Sequence, residues 1–432
     1  MIETTSPFFD RVRMTGSPAA NPQSMIVCGH ARFTVLTARL IRLEWASDGQ
    51  FEDRATFAFP TRYANAPAFT VDQSDTRVDL KTEALTLHYS ADDQPFHADN
   101  LSISFDLNGQ RVEWKPGTPN LGNLRGTYRT LDQAAGAVSL PEGLLSRDGW
   151  SLFDDSGLPV WDVEGYWVEG RPDDHLQDWY FFGYGHDYKA ALSEYIQFGG
   201  QVPLIPRYVL GGWWSRFWAY SDKDLMQLVE DFQSRDIPLD VLVVDMDWHT
   251  PDAWTGYTWN RKLFPDPDAF LRWVHEQGLY ATFNLHPAQG VQKHEAVYPE
   301  FARLLGQDPE LGSAVTFRPA DKAFMQYYFE RLHHPMEEQG VDFWWLDWQQ
   351  GEVSDIKHLD PLPWLNHLHF RDSVRRGSRP MLYSRWGGLG NHRYPIGFSG
   401  DAYATWEALR FQAYFTPTAS NVLYGWWSHD IG

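Results

Sequence analysis

The chain is short of several things. It holds one cysteine, Cys28, so no internal disulfide forms and a reducing, cytoplasmic setting is expected. It is short of positive charge: 36 Lys and Arg against 57 Asp and Glu give a formal net charge of −21. That surface repels nucleic-acid phosphate and anionic lipid, so neither nucleic acid nor membrane is an expected partner. The acids are spread along the chain and form no tail. Apolar runs stay well below the roughly 20 residues a membrane helix needs. The opening MIETTSPFFDRVRMTG lacks a basic start followed by an apolar run, so no signal peptide is expected. Motifs are missing as well. No G-x-G-x-x-G follows a strand-like run, which argues against a doubly wound nucleotide-binding sheet. No H-E-x-x-H pair and no G-x-S-x-G elbow occurs, and no internal repeat stands out.

Aromatics are plentiful. With 21 Trp, 20 Tyr and 27 Phe, the chain is suited to stacking against flat sugar rings, and equally to a large aromatic core. A length of 432 residues suits two domains, one of them a barrel. Two textures divide it. Residues 1–200 carry short runs alternating apolar and polar, such as TRVDLKTEALTLHYS, which predict antiparallel strands in a β-sandwich. Residues 201–432 carry continuous apolar strands between amphipathic helices, which predict parallel βα units. Strands are predicted within 208–215, 239–248, 279–287, 341–348, 380–388, 395–401 and 421–432. Helices are predicted at 221–235 with Ser221 as N-cap, at 266–278 with Gly278 as the stop, at 321–333 and at 405–415.

Polar residues recur where these strands end: Ser215 and Arg216, Asp245 and Asp247, Asn284 and His286, Asp347, Ser384 and Arg385, Asp401, His429 and Asp430. In a (β/α)8 barrel such ends converge on one site. The fold expected is therefore α/β plus β: an N-terminal β-sandwich and a barrel of which seven strands are counted, where closure needs eight. VDFWWLDW drives an apolar strand to Asp347, and GFSGD places Asp401 after a glycine that permits a sharp turn. An Asp at a strand-to-helix turn also caps helices. Two carboxylates on different strand ends are, however, what glycoside cleavage requires, and their separation sets retention or inversion. Asp245 and Asp247 are placed to accept from sugar hydroxyls. Arg385 and Arg216 fit either hydroxyl contact or an ion pair closing the barrel end. Trp344, Trp345 and Trp348 fit pocket walls or core packing. His249, His286 and His429 with Asp245 and Asp430 are the residues a metal would use, but no paired spacing supports one. LHHP, NHLHF and GNHRY read as loop or surface histidines.

At these residues the sequence resembles glycoside hydrolase family 31, the α-glucosidase and α-xylosidase family. LRGTYRTLDQ and EGLLSRDGWSLFDDSG resemble its N-terminal sandwich; SRWGGLGNHRYPIGFSGDAYATWEALR and the terminal SHDIG are its more specific marks. The resemblance implies Asp347 as nucleophile, Asp401 as general acid/base, and Asp245 and Arg385 as contacts of the sugar at the cleaved bond. Asn284, Asp247, Trp345, Trp348, Phe398 and His429 complete the expected substrate contacts. It implies a retaining mechanism, no metal and no organic cofactor, with an oligosaccharide or small α-glycoside as partner. Three departures stand out. Many α-glucosidases of the family carry Met-Asn-Glu where this chain has Trp348, Gln349 and Gln350. Many carry Trp where this chain has Phe398. The family's barrel continues past HDIG into an eighth strand and C-terminal β domains, so truncation after strand seven is expected. The implied activity is an exo-acting, α-glucosidase-like hydrolase; the alternatives are an α-xylosidase, α-galactosidase or α-transglycosylase, or a silent carbohydrate-binding homologue.

Overall fold

The computed structural model describes residues 6–171, 176–250 and 253–430. Ile431 and Gly432 of the SHDIG string lie outside them. Helix α1 (Pro7–Val12) turns Phe8, Phe9 and Val12 inward. Three strands follow: β1 (Met25–Cys28), β2 (Ala31–Val35) and β3 (Leu40–Ala46). Then come β4 (Phe69–Ser74), β5 (Arg77–Thr82), β6 (Leu85–Ser90), β7 (Leu101–Leu107) and β8 (Gln110–Trp114). The last four of this half are β9 (Ser151–Asp154), β10 (Val160–Trp161), β11 (Val168–Glu169) and β12 (Leu176–Phe182). They pair in the orders β1-β2-β3-β12-β9 and β4-β5-β6-β7-β8, with β10-β11 apart, and every pairing is antiparallel. Strand β6 shows the alternation read from the sequence: Leu85, Leu87 and Tyr89 are buried, His88 and Ser90 exposed. Those buried residues share one core with Phe33, Leu43 and Phe181 of the first sheet.

Among the described residues, seven parallel strands come next, each beside its sequence neighbour: β13 (Trp213–Trp214), β14 (Val241–Val244), β15 (Tyr280–Leu285), β16 (Phe343–Leu346), β17 (Tyr383–Ser384), β18 (Gly397–Phe398) and β19 (Trp427–Ser428). A flat sheet would hold β13 and β17 about 19 Å apart, at ~4.8 Å per strand. Instead the rings of Trp213 and Tyr383 lie 5.3 Å apart, so the sheet curls as a barrel does. The side-chain period of two then sorts residues. Val241, Val243, Phe343, Trp345 and Tyr383 meet inside the curl, while Leu242, Val244 and Trp344 face the surrounding helices.

The helices after α1 are α2 (Tyr188–Gly199), α3 (Asp222–Ser234), α4 (Pro267–Glu276), α5 (Tyr298–Leu304), α6 (Lys322–Tyr327), α7 (His334–Gln339), α8 (Pro361–Asp372) and α9 (Trp406–Ala419). Ser221 and Asp224 form a reciprocal capping box on α3, as their spacing predicts. The helix expected at 321–333 is instead α6, a π-helical stretch Tyr328–His333, and α7. Pro335 has no N–H to continue the α ladder, and the wider turn absorbs the mismatch. The histidine strings are not on the surface: His333, His367, His369 and His392 are all buried. His367 bonds Tyr394 Oη at 2.7 Å, and burial holds its ring down at about 3, hence neutral. Among the described residues no helix is long and apolar enough to cross a membrane.

Candidate active site

The inward parity of three strands, continued past their last residue, assembles a polar cluster at one end of the barrel. After Val241 and Val243 comes Asp245; after Thr282 come Asn284 and His286; after Phe343 and Trp345 comes Asp347. Asp347 is 4% exposed. Its Oδ1 accepts from Arg385 Nε at 3.0 Å and Nη2 at 2.6 Å, so two N–H groups of one guanidinium converge on a single oxygen. Its Oδ2 faces His286 Nε2 at 3.2 Å and Asn284 Nδ2 at 3.3 Å. Burial alone would raise this carboxyl, but the Arg385 charge and the His286 and Arg385 hydrogen bonds outweigh it and hold Asp347 at about 2. Asp347 is therefore a carboxylate with both oxygens directed.

Arg385 is itself fully buried, with its guanidinium 4.6 Å from the Phe398 ring centroid. Its remaining nitrogen, Nη1, donates to Thr130 and, at 3.0 Å, to Asp132 Oδ1. From behind, Asn366 of α8 accepts from Ser384 Oγ at 2.6 Å and donates to the Arg385 carbonyl at 3.0 Å, which fixes the end of β17.

Asp401 follows β18 and reaches solvent. Its backbone is clamped by the 131–133 segment: Asp132 Oδ1 accepts its N–H at 2.7 Å, and the Gln133 N–H donates to its carbonyl at 2.9 Å. Gly400 makes this approach possible. It has φ +94°, and a Cβ there would collide with Thr130 and stand 2.6 Å from Arg385 Nη1 and Asp132 Oδ1. The Asp401 carboxylate Oδ2 accepts from Gln349 Nε2 at 2.9 Å. Loss of water around the carboxyl raises its pKa, and the negative charges of Asp347 and Asp132 push the same way. Asp245, half-buried, is pushed up to about 7 by burial, with Asp347 and Asp401 adding to the shift and the Met246 N–H opposing it.

Thus Asp347, Asp401, Asp245, Asn284 and Arg385 are brought together, and Trp345 and Phe398 pack ring to ring, 5.0 Å apart, on the inner wall beneath them. Two expected contacts sit differently. Trp348 has the opposite parity to Asp347; it packs in the outer core near Phe317 and bonds the Gly351 carbonyl at 2.7 Å. His429 stacks on Trp427 at 5.3 Å and meets Thr416 of α9 at 2.8 Å. Asp247 lies in the 3₁₀ turn Met246–Trp248, where its carbonyl accepts from Asn260 at 3.3 Å. Arg216 stacks on Trp218, 4.8 Å away, on an exposed loop. Three residues that sequence reasoning did not place at the site are Thr130, Asp132 and Gln349, while His286, read there as a strand-end residue, proves to be a partner of Asp347. Parity would have found Gln349, two residues beyond Asp347. Nothing periodic points to Asp132, which arrives from the antiparallel half. Among the described residues, no group of three or more His, Cys, Asp and Glu is arranged to hold a metal.

The family model described as the glycosyl hydrolases family 31 TIM-barrel domain matches residues 202–432. An α-xylosidase of Saccharolobus solfataricus is 24% identical over 344 residues, covering 71% of this chain and 44% of that protein. The α-xylosidase XylQ of Lactiplantibacillus pentosus is 23% identical over 426 residues, covering 91% of this chain and 53% of that protein. The chain thus spans about half the length of these curated relatives. Among solved structures, a family 31 α-xylosidase from a soil metagenome, complexed with xylose, superposes with a TM-score of 0.69 at 15% identity, over 94% of this chain and 71% of that one. A Flavobacterium johnsoniae family 31 dextranase complexed with glucose gives 0.70 at 16% identity, over 94% and 59%. These structural likenesses carry the fold; the domain match over more than half of the sequence carries the lineage, and the chain belongs to glycoside hydrolase family 31.

Proposed function

We propose that this chain is a retaining, exo-acting α-glycoside hydrolase that removes terminal α-linked sugars, with residues 1–200 as an N-terminal β-sandwich domain and 201–432 as the catalytic barrel. The observation that carries the reading is the opposed environment of two carboxyls. Asp347 is held ionised by Arg385 and His286, while Asp401 is raised by lost water and by Asp347 itself. An acid and a nucleophile are separated in this way when one site needs both. In this scheme Asp347 attacks the anomeric carbon and forms a glycosyl ester. Asp401 gives its proton to the departing oxygen. The Asp401 carboxylate then takes a proton from water, whose oxygen breaks the ester and regenerates both groups. Asp245 and Asn284 bind hydroxyls of the same sugar, and Trp345 and Phe398 form the floor.

An α-glucoside is the first substrate to try. An α-xyloside is favoured by a separate observation: relatives matching across most of this chain are named α-xylosidases. The test is hydrolysis of nitrophenyl α-glucoside, α-xyloside, α-galactoside and α-N-acetylgalactosaminide. Turnover of one, lost in Asp347→Ala with the fold retained, is expected. Asp401→Ala loses far more activity on glycosides with poor leaving groups than on activated ones. An unchanged rate in Asp347→Ala, or no turnover of any α-glycoside by folded wild type, overturns the reading in favour of a carbohydrate-binding homologue.

A further inference from the structure

The backbone of Asp401 is held at both its N–H and its carbonyl, yet those bonds leave its side chain free to rotate. Among the described residues, the side-chain hydrogen bond that orients the carboxylate comes from Gln349 Nε2, which donates to Oδ2 at 2.9 Å. Gln349 shares the inward parity of Asp347, two residues earlier, so one strand extension carries the first carboxyl and the clamp on the second. An N–H on Oδ2 occupies that oxygen as an acceptor. A proton carried by Asp401 then resides on Oδ1.

Resting on the roles proposed above, we infer that Gln349 is a positioning residue for Asp401: its amide fixes the rotation of the carboxyl and makes Oδ1 the oxygen that delivers the proton to the leaving group. The charged groups facing Asp401 are Asp347 beyond β16, Arg385 beyond β17, Asp245 beyond β14 and Asp132 from the antiparallel half. The three carboxyls favour the protonated acid, and Arg385 and the Gln349 N–H favour the carboxylate. Gln349 therefore orients the acid and also eases its return to carboxylate for the second, water-activating step.

The test compares Gln349→Leu, Gln349→Asn and Asp401→Ala with wild type. In Gln349→Leu, kcat/KM for a poor-leaving-group α-glycoside is expected to fall about 10- to 100-fold, the range for a lost hydrogen bond to a charged group. The value for an activated aryl glycoside changes less than threefold, and the alkaline limb of the pH profile moves upward. Gln349→Asn, with a shorter amide, recovers part of the loss if it reaches Oδ2. Equal losses on both substrates, or an unmoved alkaline limb, overturn the inference while the leaving-group dependence of Asp401→Ala still upholds the acid role. Crystal structures of wild type and Gln349→Leu supply a readout independent of turnover. A rotated Asp401 carboxyl in the variant supports the positioning role, and an unchanged rotamer overturns it even if no substrate has been found.

Discussion

Asp245 is a residue whose ionisation opposes folding. Its carboxyl lies at about 7 in the folded chain, against about 3.9 in an unfolded one. Between those values the folded state binds the extra proton, so stability falls as pH rises through that window. Below about pH 4 both states are protonated and nothing is lost. Asp245→Asn removes the titrating charge while keeping an oxygen to accept from Met246. Its melting temperature is expected to match wild type near pH 4 and exceed it by about 1 °C or more at pH 8, on the scale of 1 kcal/mol or so. Hydrolytic activity should fall at the same time, because the sugar contact proposed for Asp245 is weakened. Thermal scans at the two pH values check this; an equal gain at both would mean that the carboxyl is not the cause. Much at this scale was legible beforehand. Asp347, Arg385 and Asp245 sit at strand ends whose inward parity is written in VDFWWLD and VLVVD. Trp348 and His429 were misplaced because a strand-end position fixes height in the barrel but not side, and each falls on the parity that faces the helices.

At the scale of elements, the segment 129–135 and the turn at Gly400 act as one piece. The Leu131 N–H donates to the Ser399 carbonyl at 2.8 Å, and Asp132 joins Arg385 to the Asp401 backbone. Gly400→Ala strains a left-handed φ and drives a methyl group into Thr130, Asp132 and Arg385. The strain costs on the order of 1–3 kcal/mol of stability. A displacement near 1 Å at Asp401 is worth roughly 100-fold in rate. The expected outcome is a chain that remains folded by circular dichroism and loses about two orders of magnitude in kcat/KM. Near-normal kinetics would show that the turn tolerates the methyl group and that the close approach is not needed. Elements were legible in proportion to their contrast with water. Helix α3 declares itself through its cap and apolar stripe. Helix α8 does not: Pro361 and Pro363 look like breakers, and almost every residue is buried, so no 3.6-residue contrast survives. Both prolines fall in the first turn, where a missing N–H costs nothing. Strand β13 shrinks for a different reason. The run 208–215 begins in a 3₁₀ turn, Arg207–Leu210, which apolar content alone does not separate from a strand.

At the scale of the whole molecule, the change of texture near residue 200 separates antiparallel from parallel strands, but two of the hydrophobic clusters run across it. Phe8, Phe9, Trp161 and Trp167 from the first half pack in one cluster with Leu362, Trp364, Leu365 and Leu368 of α8. The Trp167 and Trp364 rings meet edge to face at 4.8 Å. A second cluster joins Leu40, Phe59 and Tyr180 to Trp386, Val422 and Tyr424. Arg129 pairs with Asp360 across the same boundary. Domains joined through small polar interfaces move and melt separately, whereas a shared apolar interface couples them. The site has the same dependence, since Asp132 and Thr130 come from the first half and the two proposed catalytic carboxyls from the second. Calorimetry should therefore show one unfolding transition, with loss of the Trp signal and loss of any hydrolytic activity at the same temperature. Asp132→Ala, which cuts a polar link but leaves the apolar clusters intact, should lower activity without splitting that transition. Two well-separated transitions in the wild-type chain would show that the shared clusters are too weak to couple the halves, and that the antiparallel half reaches the site as a docked module instead of an integral wall.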